Sequence, residues 1–456
     1  MIRTLSGVSV IALLAASATS VAAQDLMFPK SEGAFTWDSL QSFADANDLS
    51  GEQVTVFGPW LGPDQAAIEA VLAYFADATG ADVRYTGSDS FEQQVVIDAE
   101  AGSSANVAVF PQPGLASDMA KRGFLTPLGQ EAADWMATNY AAGQSWVDLG
   151  TYAAADGTEA FYGFPYKADV KSLVWYVPEN FDDAGYEVPT TMEELKALTD
   201  QIVADGGTPW CIGLGSGGAT GWPATDWVED MMLRTQSPEN YDKWVTNELP
   251  FNSPEVVGAI EEFGHFAKND AYVAGGTGAV ASTDFRDSPK GLFDSPPQCY
   301  LHHQASFIPA FFPDGTLVGE DGDANFFYMP AYADKDLGQP VLGAGTIFAI
   351  TNDNPGAEAL IKFLQTPIAH EIWMAVPGQG FLTPLTTANL DTYENDTRRA
   401  LGEILTSATT FRFDASDLMP GGVGAGTFWT GMVDYVGGES AQSVADKIQA
   451  SWDALK

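Results

Sequence analysis

The sequence predicts an α/β fold in two lobes, with the chain crossing between them more than once. Three observations predict it. Strand-like and helix-like segments alternate from residue 54 to residue 110. The chain, 456 residues long, exceeds what one ordinary hydrophobic core organises. Strand character then returns late, at residues 341–351, as if the chain rejoins its first lobe.

Val54-Thr55-Val56-Phe57 is a β-branched run and reads as a strand. Gln65 to Thr79 places Ile68, Val71, Leu72 and Phe75 at helical spacing, and Gly80 ends it. Asp82 to Tyr85 is the next strand. Ser90 to Ala101 is a second helix, with Phe91, Val95 and Ala99 on one face. Asn106 to Phe110 is a third strand. This βαβαβ order builds a parallel sheet with right-handed crossovers. Ligands of such sheets collect beyond the carboxyl ends of the strands. Those ends are Gly58-Pro59-Trp60, Ser88-Asp89-Ser90 and Pro111-Gln112-Pro113, so an aromatic ring, a carboxylate and an amide converge.

Further along, Phe164-Pro165-Tyr166 interrupts the pattern and Ser172 to Val177 is a strand. Helices are expected at Thr191–Asp205, Pro254–Asn269 and Asn354–Leu364, with a strand at Val341–Thr351. A glycine-rich stretch, Gly421 to Gly426, precedes Phe428-Trp429.

Residues 1–23 read as a secretory signal peptide. Arg3 supplies the positive region and Val8 to Ala16 a short apolar core. Val21-Ala22-Ala23 offers small residues before a cut ahead of Gln24. No later stretch approaches the length of a membrane span. An exported chain of about 430 residues results, expected in the periplasm. Hydrophobic content of 45% suits a packed globular protein. Sixty-one acidic against 20 basic residues give a net charge of −41, which repels nucleic acid and anionic lipid. The cysteines, Cys211 and Cys299, are expected to form one disulfide in an oxidising compartment, closing a loop of about 90 residues.

Catalytic and metal motifs are largely missing. His370-Glu371 lacks the second histidine of a zinc helix, and Ser216 lacks the first glycine of a nucleophile elbow. Gly213, Gly215 and Gly218 match a dinucleotide fingerprint weakly, because Trp222-Pro223 falls where the supporting helix should continue. His302-His303 reads as a polar pair on a strand. Asp321, Asp323 and Asn325 imitate a calcium loop, but Phe326 replaces the glycine it needs, which leaves a polar hairpin tip. No cofactor and no metal are expected. What abounds is flat aromatic surface beside polar groups: Trp60, Tyr166, Trp175, Trp222, Trp227 and Trp429. Aromatic rings cover the C–H faces of a pyranose, and charged side chains hydrogen-bond its hydroxyl belt. Residues 216–227 combine glycines, Trp222, Asp226 and Trp227 in one short segment.

The chain resembles the extracellular solute-binding proteins of ABC importers, of the maltose- and alpha-glucoside-binding type. The segments that carry the likeness are 106–114, 163–176, 219–227 and 341–350, with Phe428-Trp429. The resemblance implies a two-lobed periplasmic-binding-protein fold, with multiple hinge crossings and a ligand cleft. Lobe 1 would comprise residues 24–163 and 336–378, and lobe 2 residues 164–335 and 379–456. It places Trp60, Asp89, Gln112, Gly343 and Gly345 on the first lobe, Tyr166 and Lys171 near the hinge, and Trp222, Asp226, Phe307 and Trp429 on the second. Val170 and Lys171 stand where many members carry Asp and Arg. The implied function is capture of an alpha-glucoside or related oligosaccharide by a monomer, for delivery to membrane permease subunits, without catalysis. The alternatives are a secreted glycoside hydrolase using Asp89 and Asp226, and a binder of a non-sugar solute.

Overall fold

The computed structural model describes residues 26–141, 143–319, 321–338, 340–407 and 410–455. The signal peptide lies outside the described residues.

The expected βαβαβ unit is present. Strands β1 (Gln53–Gly58), β2 (Asp82–Gly87) and β3 (Val107–Phe110) align in parallel, with β1 between the other two. The first connecting helix, Pro63–Thr79, buries Ile68, Val71, Leu72 and Phe75, the face its periodicity predicts. It stops at Gly80, whose φ of 76° is left-handed. The second helix is Phe91–Ala101.

A hairpin, β4 (Thr151–Ala153) and β5 (Glu159–Phe161), leads into β6 (Gly163–Val170). Strands β7 (Leu173–Tyr176), β8 (His302–His303) and β9 (Asn325–Tyr328) form a separate antiparallel sheet with β7 central. Strand β10 (Pro340–Ile350) then returns to the first sheet. It pairs antiparallel with β3 and β6 and parallel with β11 (Thr410–Phe413). All eleven residues of β10 are buried, as suits a strand that is apolar apart from Thr346 and is paired on both edges.

The helices follow their capping chemistry. Helix Met192–Ala204 opens with a reciprocal capping box between Thr191 and Glu194, a feature worth about 1 kcal/mol. Helix Trp222–Thr235 begins at the Trp-Pro pair that was expected to interrupt a helix. Proline fits there because first-turn amides have no intrahelical acceptor to lose. Gly213 and Gly215 pack against the backbone of Thr283 and Asp284. His302 and His303 do lie on a strand. The His302 ring meets the Cys211 carbonyl at 2.9 Å, and the His303 ring meets Asp230 at 3.0 Å. Asp323 accepts the Leu317 amide at 2.8 Å in a turn before β9.

Two large apolar clusters and a smaller one hold these elements. One gathers helices 63–79, 355–364 and 367–374 around the first sheet. Another gathers helices 222–235, 254–267, 429–436 and 441–453. The smaller joins β3 to helices 91–101 and 113–121. Phe381, expected in the second lobe, stacks on Trp373 with ring centroids 5.1 Å apart.

Cys211 and Cys299 are bonded across a separation of 88 residues. Closing a loop of that length restricts the unfolded chain. Replacing both cysteines by serine is expected to lower the unfolding free energy by about 2–4 kcal/mol. Urea denaturation of the double variant beside the parent measures this; an unchanged midpoint would show that the bridge contributes nothing.

Candidate functional site: a cleft beyond the parallel strands

A cleft of about 960 Å³ opens beyond the carboxyl ends of the parallel strands. Trp60 follows β1, Asp89 follows β2 and Gln112 follows β3, and all three line it as the topology rule predicts. The opposite wall brings Trp222 and Asp226 from the start of helix 222–235, Phe307, and Trp429 from the start of helix 429–436. Lys171 and Gly345 complete the predicted residues found there.

Tyr166 and Gly343 are not among them. Tyr166 is buried against Phe348, His370, Trp373 and Phe381, and its hydroxyl donates to the Ala369 carbonyl. Side chains alternate along a strand, so Lys167, Asp169 and Lys171 face the cleft while Tyr166 faces the core. Gly343 pairs with Val170 and Phe413, and its carbonyl accepts the Asp414 amide at 2.8 Å. It positions Asp414 through the backbone.

The electrostatic centre is Lys171. Its ammonium lies 2.8 Å from Asp226 and is also bonded to Asp414. Ser416 donates its hydroxyl to Asp414 at 2.9 Å and its amide to Glu229 at 2.8 Å. Burial opposes the charge on Lys171, but Asp226 and Asp414 outweigh it and hold the ammonium above its ordinary range. Asp414 is held below the usual carboxylate range: burial works against it, while Lys171 and the neighbouring hydrogen bonds prevail. Asp226, Glu229 and Asp417 are pushed up, first by burial and then by the surrounding carboxylates. One carboxylate therefore keeps its charge beside the ammonium and its neighbours favour the protonated form. Asp226, Glu229 and Asp414 approach within 4.8 Å of one another, a set that could hold a cation, but Lys171 already supplies the positive charge against two of them. Among the described residues, the remaining oxygens of Asp226 and Glu229 are buried without a hydrogen-bond partner.

Around this centre lie groups that motif reading passed over. Lys167 sits 3.1 Å from both oxygens of Asp169 and 5.2 Å from the Phe307 ring centroid. Glu92 accepts the Gln112 amide at 3.0 Å. Asp64, in the first turn of helix 63–79, lines the cleft, and one of its oxygens has no hydrogen-bond partner among the described residues. Strand alternation back from Lys171 would have found Lys167 and Asp169. Nothing local separates Asp414 and Asp417 from the chain's many other carboxylates.

The aromatic walls are rigid. The Trp222 ring meets Phe285 with centroids 5.0 Å apart and Phe307 at 6.0 Å, and the Lys171 ammonium lies 5.5 Å from it. It is half-buried at a helix start. The glycine-rich stretch before Trp429 folds as a π-helical turn, Val423–Phe428. A side chain at Gly424 would strike the Ser416 carbonyl, so glycine there lets the turn seat Trp429 beside Asp414 and Ser416.

An α/β chain with an aromatic-walled cleft that also holds charged side chains, beyond the carboxyl ends of its parallel strands, is the architecture of a solute receptor. Residues 58–371 match the bacterial extracellular solute-binding protein family, and the chain belongs to it. It is 63% identical, over 99% of both chains, to the alpha-glucosides-binding periplasmic protein AglE of Rhizobium meliloti (strain 1021). It is 45% identical, over 89% of this chain and 93% of the other, to the osmoprotective compounds-binding protein GgtB of Synechocystis sp.. The solved structure of the bacterial solute receptor AcbH superposes with a TM-score of 0.74 at 18% identity, covering 89% of this chain and all of that one. The fold is therefore that of the two-lobed periplasmic binding proteins. This family binds solutes and does not transform them, which sets aside the hydrolase built on Asp89 and Asp226.

Burial pushes the Asp64 carboxyl up to about 6, with Lys167 opposing. A raised acid contributes stability that is full below its unfolded value and lost as pH rises through the folded one. Asp64→Asn should therefore match the parent near pH 4 and exceed its stability by up to about 3 kcal/mol near pH 7.5. Denaturant titrations at the two pH values test this, and an equal difference at both would contradict it.

Proposed function

We propose that this protein captures an alpha-glucoside or a related oligosaccharide in the cleft and delivers it to an ABC permease. The observation that carries the proposal is the juxtaposition of Trp222, Phe307 and Trp429 with Lys167, Asp169 and Asp64 in one cavity. Flat rings cover the apolar faces of a pyranose, and the charged groups bond its hydroxyls. The 63% identity to an alpha-glucosides-binding relative across nearly the whole chain supports the same ligand class. Of the predicted residues, Trp60, Asp89, Gln112, Lys171, Trp222, Asp226, Phe307, Gly345 and Trp429 are proposed to form the ligand site, while Tyr166 and Gly343 support it from outside.

The proposed lobes are residues 24–163 with 336–378, and 164–335 with 379–456. The packing of Phe381 on Trp373 favours moving the last boundary toward β11. Strands β6 and β10, paired from Gly163 to Val170, are the proposed hinge core. Ligand bridging the lobes would shift an open–closed equilibrium, the hinge motion of periplasmic binding proteins. Export to the periplasm, with cleavage after Ala23, completes the reading. A net charge of −41 favours a monomer free of nucleic acid.

Calorimetry against maltose, trehalose, sucrose and a non-sugar panel tests the ligand class; heat from the non-sugar solutes alone would overturn it. Trp222→Ala is expected to cost about 2–4 kcal/mol of binding, roughly 30- to 1000-fold in affinity, while the chain stays folded. Parental affinity with a lowered melting temperature would instead make Trp222 a packing residue only.

A further inference from the structure

Two contacts cross the cleft's rim, the first of them between residues outside the cleft lining, and both depend on glycine. Gly114 lies in the first turn of helix Pro113–Lys121, where Leu115, Ala116 and Met119 pack with β3. Its backbone is not left-handed, so local conformation does not call for glycine. A Cβ there would lie 1.9 Å from the carbonyl oxygen of Met419, far inside any real contact. Met419 belongs to the other core, with Val423 and Phe428. Beside it, Asp118 of the same helix accepts the Gly421 amide at 2.9 Å. On the other contact, the Gly218 amide donates to the Asp89 carbonyl at 3.1 Å, and a Cβ on Gly217 would meet the Asp89 carboxylate at 2.4 Å. Gly217 itself has a φ of +56°.

We propose that these contacts form a glycine latch, in which Gly114 and Asp118 set ligand affinity and residence time by letting the two lobes meet backbone to backbone. The inference rests on the cleft being the ligand site. Gly114 and Asp118 do not line the cleft. They are positioning residues: they hold the geometry in which Trp60, Asp89 and Gln112 share a cleft with Trp222 and Trp429. Closed-state contacts of this kind raise apparent affinity by raising the fraction of competent molecules.

Gly114→Ala separates this role from ordinary stability. Alanine favours a helix over glycine, so the helix itself should hold or gain stability. The same substitution forbids the approach of the Met419 carbonyl. Gly258→Ala is the control, because a Cβ at Gly258, in helix Pro254–Ala267, meets nothing within 4 Å. With maltose as probe, stopped-flow tryptophan fluorescence should show dissociation faster by about ten-fold or more in Gly114→Ala, a change equal to about 1.4 kcal/mol and within reach of losing a buried contact beside a hydrogen bond. Gly258→Ala should match the parent. Small-angle scattering should give a larger radius of gyration for Gly114→Ala in saturating maltose. A parental dissociation rate and radius in Gly114→Ala would overturn the latch. Should Gly114→Ala fail to fold, Asp118→Ala, which only removes the partner of the Gly421 amide, must show the faster dissociation; parental kinetics there would overturn it equally. If the parent gives no heat with maltose, trehalose or sucrose, the sugar reading fails. The latch then stands or falls on the ligand-free radii, and equal radii for parent and Gly114→Ala would refute it.

Discussion

The ammonium of Lys171 is the interaction on which the cleft depends. It sits just past β6, beside Asp226 of helix 222–235 and Asp414 just past β11. Three chain segments far apart in sequence therefore meet at one cation. Four buried carboxylates share its neighbourhood, and burying that many charges unpaired would cost several kcal/mol each. The cluster survives because Lys171 neutralises Asp414 while burial keeps its neighbours inclined to the protonated form. Removing one member of such a group leaves the others uncompensated, typically at about 3–5 kcal/mol. The aromatic walls are built outward from this point: Trp222 begins the helix that carries Asp226, and its ring faces the Lys171 ammonium.

The first sheet was legible because its signals are local. Ile68, Val71, Leu72 and Phe75 repeat at helical spacing, Val54 to Phe57 are β-branched or aromatic, and Gly80 stops the intervening helix. The cleft rim followed from topology alone, since Trp60, Asp89 and Gln112 stand where three parallel strands end. The strand at β10 was visible as an apolar run, but its partners were not. Pairing antiparallel with β3 and β6 is decided by contacts between segments up to about 240 residues apart, and no local pattern encodes those.

The errors have the same origin. Tyr166 and Lys171 were read as neighbours in sequence, yet strand alternation turns one into the core and the other into the cleft. Trp222-Pro223 read as a helix interruption because proline breaks helix interiors; at a first turn it does not. Asp414 and Asp417 acquire meaning only when β11 aligns beside β10 and Ser416 ties Asp414 to Glu229. In a chain with 61 acidic residues, no composition argument could single them out.

The central claim is that a sugar lies between the two walls while the Lys171 cluster holds them in place. A crystal structure of the chain with bound maltose tests it most directly. The account predicts a pyranose ring within about 4 Å of Trp222 or Trp429, with hydroxyls on Asp64, Lys167 or Asp169, and with Lys171 still bridging Asp226 and Asp414. Maltose seated outside the cleft, or inside it with Lys171 released from both carboxylates, would contradict it.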